Sequence, residues 1–237
     1  MLKESPGTAH AIGPVERALN LLLCFQTHTD GASLTELARQ VRLAPSTTAR
    51  LLKVLERYEF VRRGPDRLYR LGPQSMQLGL TALRDMSLYE VARPHLRILA
   101  EETGESAQLG ILVREGNVLY VDQASSHHVV QAATWVGRTV PLDDTAIGAA
   151  IQGRVYPAGY TATRYTIEPD VSSVAAPIFD KNNTIVAAIN VIGPTYRISD
   201  DQLAKMGLLV VEHTRQISGK LGATLFSHVM RSEMRVN

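Results

Sequence analysis

Two short amphipathic segments, three residues apart, limit this chain more than anything else in it. In the first, SLTELARQV over 33–41, Leu34, Leu37, Ala38 and Val41 recur at the spacing of one helical face. Ser33 and Glu36 form a capping box, each satisfying an amide that the first helical turn leaves free. A turn at Arg42 to Ala44 leads into PSTTARLLKVLER over 45–57. Pro45 suits the first position of a helix, where a missing N–H costs nothing. Leu51, Leu52 and Leu55 fall on one side of that helix, and Ser46, Arg50, Lys53 and Arg57 on another.

The flanks complete a domain. Pro14 opens an earlier helix, with Val15, Ala18, Leu19, Leu22 and Leu23 at helical spacing, and Asp30-Gly31 ends that unit. After the second segment come Phe60 to Arg63, a turn at Gly64-Pro65-Asp66-Arg67, and Leu68 to Leu71, a β-hairpin. Helix, turn, helix and basic hairpin make a winged helix-turn-helix, and the physics fits B-DNA. The leucines anchor the helix, and its polar side is free to enter a major groove. Ser46, Thr47 and Thr48 stand in the first turn, where short hydroxyls and free amides meet phosphates. Arg50 is placed for a guanine edge or a phosphate. Lys53 and Arg57, and on the wing Arg62, Arg63, Arg67 and Arg70, suit the backbone.

Charge agrees. Between Arg42 and Arg70 there are eight cations against three anions, although the whole chain carries only +2. A solvated surface would also account for that imbalance. A polyanion partner is the reading that the motif adds.

The remainder predicts a helix from Gln74 to Met86 and a second capping box at Ser87 to Glu90. Gly104 closes the helix that this box opens. Strands follow over 107–113, 118–123 and 129–136, then a short helix over 145–152. A hairpin of 173–179 and 185–192 turns at Asp180 to Asn183. Ser199 to Gln202 is a third capping box, opening a helix that runs to about Leu225. The fold class is α+β. An N-terminal winged helix-turn-helix and a helical linker precede an antiparallel sheet flanked by helices. Ala175, Ala176, Ala187 and Ala188 leave room beside the sheet, for a ligand cavity or for close helix packing.

The segments VERALNLLLCF, SLTELARQVRLAPSTTARLLKVLERYEFVRR and YRLG resemble the N-terminal domain of IclR-type (isocitrate lyase regulator) bacterial transcription regulators. GYTATRYTIEPDVSSVAAPIFDKNNTIVAAINVIGPTYRIS resembles the end of that family's GAF-like effector domain. The two motifs stand in the family's order over about 15–225. The resemblance implies a repressor or activator that binds a double-stranded DNA operator. It also implies a homo-oligomer, dimer or tetramer, that responds to a small organic acid. An alternative is a regulator whose degenerate sensor only dimerises. The implied organisation is an arm over 1–13 and a DNA-binding domain over 14–73. A linker helix over 74–87, an effector-binding and oligomerisation domain over 88–226 and a tail over 227–237 follow.

In such regulators the effector's carboxylate meets amides at the start of the short helix after a PLH-like segment, here Pro141 to Gly148. The matching effector-binding positions are Ala146, Ile147, Thr163, Ser173 and Asn190, with Ile192 beside them. Tyr120, Trp135 and Gln108 are further wall residues by strand placement. The chain departs from the family at three of these places: Asp143 replaces the usual histidine, Thr163 a common acid and Ile192 a common hydroxyl. Between Gln152 and Gly159 only a few residues remain where the family places a few dozen, part of the pocket's enclosure. Asp143 and Asp144 would compete with a ligand or cap the helix.

Other chemistry finds no support. Cys24 is the lone cysteine, set in an apolar run, so neither a disulfide framework nor a cysteine-based zinc site is expected. His127 and His128, if adjacent on a strand, would face opposite ways and could not share a metal. There is no nucleophile elbow, phosphate loop or dinucleotide fingerprint. We therefore expect no catalytic residue, metal or cofactor. No apolar run approaches the roughly 20 residues of a membrane span, and the expected location is cytoplasmic. Met76, Leu80 and Leu83 read as linker packing or a dimer seam.

Overall fold

The computed structural model describes residues 13–28, 30–84, 86–113, 116–129, 131–164 and 170–224. Leu225, the tail expected over 227–237 and all but the last residue of the arm expected over 1–13 lie outside these. The chain divides into two compact units, Met1–Leu83 and Arg84–Asn237.

In the first unit, α1 spans Pro14–Leu23 and tightens into a 3-10 turn at Cys24–Gln26. Helix α2 spans Leu34–Gln40. Its capping box forms as expected: Glu36 N donates to Ser33 Oγ at 3.3 Å, and Ser33 N to Glu36 Oε2 at 2.8 Å. The chain then turns through Arg42 at φ 54°, and Leu43 N reaches back to Ala38 O at 3.0 Å. Helix α3, Pro45–Arg57, follows. Leu37, Leu52 and Leu55 meet Leu21, Cys24, Phe25 and Val61 in one core, with Leu51 packed at its margin. Cys24 is thus a core residue.

Strands β1, Val61–Arg63, and β2, Tyr69–Leu71, pair antiparallel with Val61 opposite Leu71. A contact the sequence did not announce ties this hairpin to the helices. Ala32 and Tyr69 exchange two N–H···O bonds of 2.9 and 2.8 Å, just before α2. Gly72 has a steric reason: a Cβ there would lie 2.1 Å from Glu59 O. Helix α4, Pro73–Arg84, buries none of its residues, and Met76, Leu78 and Leu80 are each more than half exposed.

The second unit opens with α5, Ser87–Thr103. The capping box expected there does not form. Ser87 is already the first helical residue, Met86 holds the cap position, and no side chain caps the helix. Gly104 closes α5 at φ 72°. The sheet comprises β3 (Ser106–Val113), β4 (Asn117–Ala124), β5 (Thr139–Pro141), β6 (Thr161–Arg164), β7 (Val171–Phe179) and β8 (Ile185–Pro194). Its order is β5-β4-β3-β8-β7-β6, and every pairing is antiparallel.

The strand expected over 129–136 is absent among its described residues. The outer edge of β4 is already taken, because Tyr120 N donates to Arg138 O at 3.0 Å and Gly137 N to Tyr120 O at 2.8 Å before β5 pairs. Val129 is left fully in solvent. His127 and His128 therefore lie in bends, not on a strand. Among the described residues no group of three or more histidine, cysteine, aspartate or glutamate side chains is placed to hold a metal ion.

Between β5 and β6 lies α6, Ala146–Ile151. Helix α7, Asp200–Lys220, starts at a complete Ser199–Gln202 capping box and ends before Leu225. Among the described residues no helix is long and apolar enough to cross a membrane.

Candidate nucleic-acid interface and effector cavity

Helix α3 sorts its side chains as its spacing requires. Leu52 and Leu55 point into the core, while Ser46, Arg50, Lys53 and Arg57 stand exposed along the opposite side. None of these three cations enters an ion pair among the described residues. Thr47 is half-buried. Thr48 is not available to DNA: it is fully buried, and its hydroxyl donates to Ala44 O at 3.2 Å. Two positions beyond Ser46 the helix has already turned inward, so three consecutive hydroxyls cannot all face a groove.

The wing is similarly divided. Arg63 and Arg67 are exposed. Arg63 lies over the Tyr69 ring at 5.3 Å and donates to Arg67 O at 3.4 Å. Arg70, expected among the phosphate contacts, is instead held by Asp66 through bonds of 3.0 and 2.6 Å. Those bonds, with one from Leu68 N, lower the Asp66 carboxyl to about 2. Asp66 thus neutralises one wing arginine and fixes the turn that carries the others. In the sequence Asp66 stands out only as a turn residue, although its i, i+4 spacing from Arg70 is visible there.

In the second unit, all five expected effector positions meet. Ala146, Ile147, Thr163, Ser173 and Asn190 line one cavity of about 280 Å³ with Tyr120, Thr145, Val171 and Ile192. Its interior has free room for about one water molecule. Thr145 caps α6, accepting from Gly148 N at 3.0 Å and donating to Pro141 O at 3.0 Å. Gly148 is required there, since a Cβ would stand 1.9 Å from Leu142 O. Asp143 neither caps α6 nor enters the cavity. It is exposed and accepts from Gln152 and Arg154, each at 3.4 Å.

The small residues beside the sheet also resolve. Ala175 and Ala188 lie beneath α6, packed with Ile147 and Ala150, so the room they leave is filled by the helix. The cavity opens further along, where Ser173 and Asn190 replace alanine on the same face. Trp135 packs edge-on to Tyr120 at 6.1 Å, outside the cavity wall. Gln108 does not line the cavity, but it touches Asn190. Burial pushes the Tyr120 phenol up, and its hydrogen bond with Asn190 pulls the other way.

Comparison with known proteins gives consistent matches. Residues 14–65 match the model of the IclR helix-turn-helix domain. Residues 80–153 and 152–219 match that of the bacterial transcriptional regulator IclR C-terminal domain, in two stretches that meet beside Gln152. The HTH-type transcriptional regulator BhcR of Paracoccus denitrificans is 30% identical over 243 residues, covering 87% of this chain and 86% of that one. The transcriptional repressor IclR of Escherichia coli is 27% identical over 256 residues, covering 91% and 93%. The crystal structure of an IclR homologue from Microbacterium hydrocarbonoxydans, complexed with 4-hydroxybenzoate, superposes with a TM-score of 0.74. It is 22% identical and covers 88% of this chain and 99% of that one.

Proposed function

The chain belongs to the IclR family of bacterial DNA-binding transcriptional regulators, and from that premise we propose that it represses transcription under the control of a small organic acid. It is a regulator and not an enzyme. The acid occupies the cavity beside α6 and changes the grip on a double-stranded operator.

One observation carries the DNA reading. Arg50, Lys53 and Arg57 stand exposed and free of ion pairs among the described residues, on a helix whose other side is locked in a core. Ser46, Thr47, Arg63 and Arg67 complete the proposed contacts, and Thr48 supports them from within. Genomic footprinting should recover discrete bound sites. On such a site Arg50→Ala should lose about 1–3 kcal/mol of affinity, roughly 5- to 150-fold, in a gel shift without a change in melting temperature. Unchanged affinity would remove Arg50 from the interface.

That the five residues drawn from the family resemblance line one cavity supports the effector reading. So does the 4-hydroxybenzoate bound by the Microbacterium homologue. The cavity's narrowness favours a second reading, in which the sensor lost its enclosure between Gln152 and Gly159 and now only joins copies of the chain. A thermal-shift panel of small organic acids separates the two. A specific stabilisation supports the first reading, and a uniformly flat panel the second. Either way we propose a homo-oligomer, since Val15, Leu19 and Leu23 on α1 and Met76, Leu78 and Leu80 on α4 leave apolar faces for a second copy.

A further inference from the structure

A second opening in the second unit shares no lining residue with the cavity beside α6. It is a cleft between the end of α5, the 3-10 turn Thr195–Arg197 and the first half of α7. Its free room is about 330 Å³, within the roughly 300–1,000 Å³ of small-molecule sites. Ile198, Met206 and Leu209 give it an apolar lining, and the first two are buried. Glu105 and Arg197 close its inner end. Arg197 Nε donates to Glu105 Oε1 at 2.5 Å, and Arg197 Nη2 donates to Oε2 at 2.7 Å. The Glu105 side chain is only 5% exposed. It can lie there because β8 has a glycine beside it: a Cβ on Gly193 would stand 2.3 Å from Glu105 Oε2. A bidentate pair of this kind satisfies both of its charges internally.

Apart from the His128 ring, the charge of the lining then rests on two residues, Glu102 on α5 and Lys205 on α7. They do not pair with each other. Glu102 Oε2 lies 3.3 Å from His213 Nε2, which anchors the carboxylate and leaves Oε1 without a partner among the described residues. Lys205 is exposed and has no ion pair there. The cleft therefore offers one anchored carboxylate, one unpaired ammonium and an apolar surface. We propose that it binds a free α-amino acid with an aliphatic or thioether side chain. The ligand's ammonium pairs with Glu102, its carboxylate with Lys205, and its side chain covers Met206 and Leu209. A zwitterion matches a lining whose charges balance, whereas a simple organic acid would set its carboxylate against Glu102 with nothing to offset it. Glu102 is already bonded to α7 through His213, so the ligand would tie α5 and α7 together and stabilise the fold. The proposal holds whether or not the cavity beside α6 takes an acid.

The test is calorimetry and thermal shift on the full chain with leucine, methionine and two truncated analogues of leucine. Isocaproate lacks the ammonium, and isoamylamine lacks the carboxylate. Leucine or methionine should bind at least about tenfold tighter than either analogue, because each analogue leaves one charged wall unanswered. Glu102→Gln keeps an acceptor for His213. It should weaken amino-acid binding by about tenfold or more and leave isocaproate no weaker. Lys205→Gln should weaken amino-acid binding to a similar degree and leave isoamylamine no weaker. Both side chains are exposed, so both variants should fold as the parent does. If neither amino acid binds at millimolar concentration, the proposal is overturned. Binding that ignores both substitutions would place the ligand elsewhere and overturn it as well. Isocaproate binding as tightly as leucine, with a loss only in Lys205→Gln, would make the cleft an anion site and also overturn it. None of these outcomes touches the effector reading, which is decided by the organic-acid panel.

Discussion

The two units handle polar side chains in opposite ways. In the first, the groups assigned to DNA stand in solvent on α3 and the wing, and burial removes a residue from the surface, as it does Thr48. In the second, the groups that matter are held by one another, and all but the half-buried Gln123 are buried: Gln123, Gln108 and Asn190 across the sheet, and His95 and His213 between α5 and α7. An exposed cation needs only a rigid helix beneath it, because DNA supplies the opposite charge. A buried amide needs every neighbour in place, since a half-satisfied network is worse than none. The first unit therefore tolerates surface change and fails through its core, whereas the second is sensitive at single hydrogen bonds.

The largest expected effect comes from breaking the rigid support of α3. Leu52→Ala removes a fully buried side chain shared by the helices of the first unit and should cost about 2–5 kcal/mol. Urea unfolding should register that loss, and operator binding should fade at the temperature where the variant melts. Binding that fades well below that temperature would show Leu52 shaping the interface beyond mere support.

A smaller effect sharpens the other half of the comparison. His95 Nδ1 lies 2.8 Å from His213 Nδ1, Lys220 Nζ lies 3.1 Å from His95 Nε2, and Glu102 Oε2 lies 3.3 Å from His213 Nε2. Lys220 can only donate, so His95 accepts at Nε2 and donates from Nδ1, and His213 passes its own proton toward Glu102. Burial lowers the His95 pKa, and the charge of Lys220 and the ring of His213 add to that. The unfolded chain then takes up this proton first. The stability that His95 contributes is full above its ordinary value near 6.5 and is lost as pH falls through and below it. Melting temperature should drop on acidification from about pH 7.5 to about 5.5, and the slope should be shallower in His95→Gln. Equal slopes would take His95 out of the chain's acid sensitivity.

The same contrast explains what the sequence disclosed. Helices with caps and periodic leucines were legible, because their signals are local: Ser33 with Glu36, Ser199 with Gln202, Gly104 at its left-handed position. The strand expected over 129–136 failed, and β5 and β6 were missed. Short edge strands are set by which partner reaches an edge first, and that is not a local property. The five cavity residues came from resemblance, and the amide ladder came from neither source. Gln108, Gln123 and Asn190 are remote in sequence, and only the register of three strands makes them neighbours. The false capping box at Ser87 shows the limit of a local motif, since the same four-residue pattern fails when the helix begins one residue early.

The smallest effect bears on the residue that separates the two rules most cleanly. Thr48 carries the chemistry of a DNA contact and the burial of a core residue. Thr48→Val keeps the branched shape and removes only the hydroxyl that donates to Ala44 O. The cost in stability should stay near about 1 kcal/mol, that of one intramolecular hydrogen bond, visible as a melting shift of a few degrees. Operator affinity should stay within about twofold at temperatures where both proteins are folded, because no phosphate contact is lost. A drop of about fivefold or more with little change in melting would mean that the helix turns on DNA to expose Thr48. In that case the first unit would depend on single buried groups as the second does, and the contrast between them would fail at its clearest point.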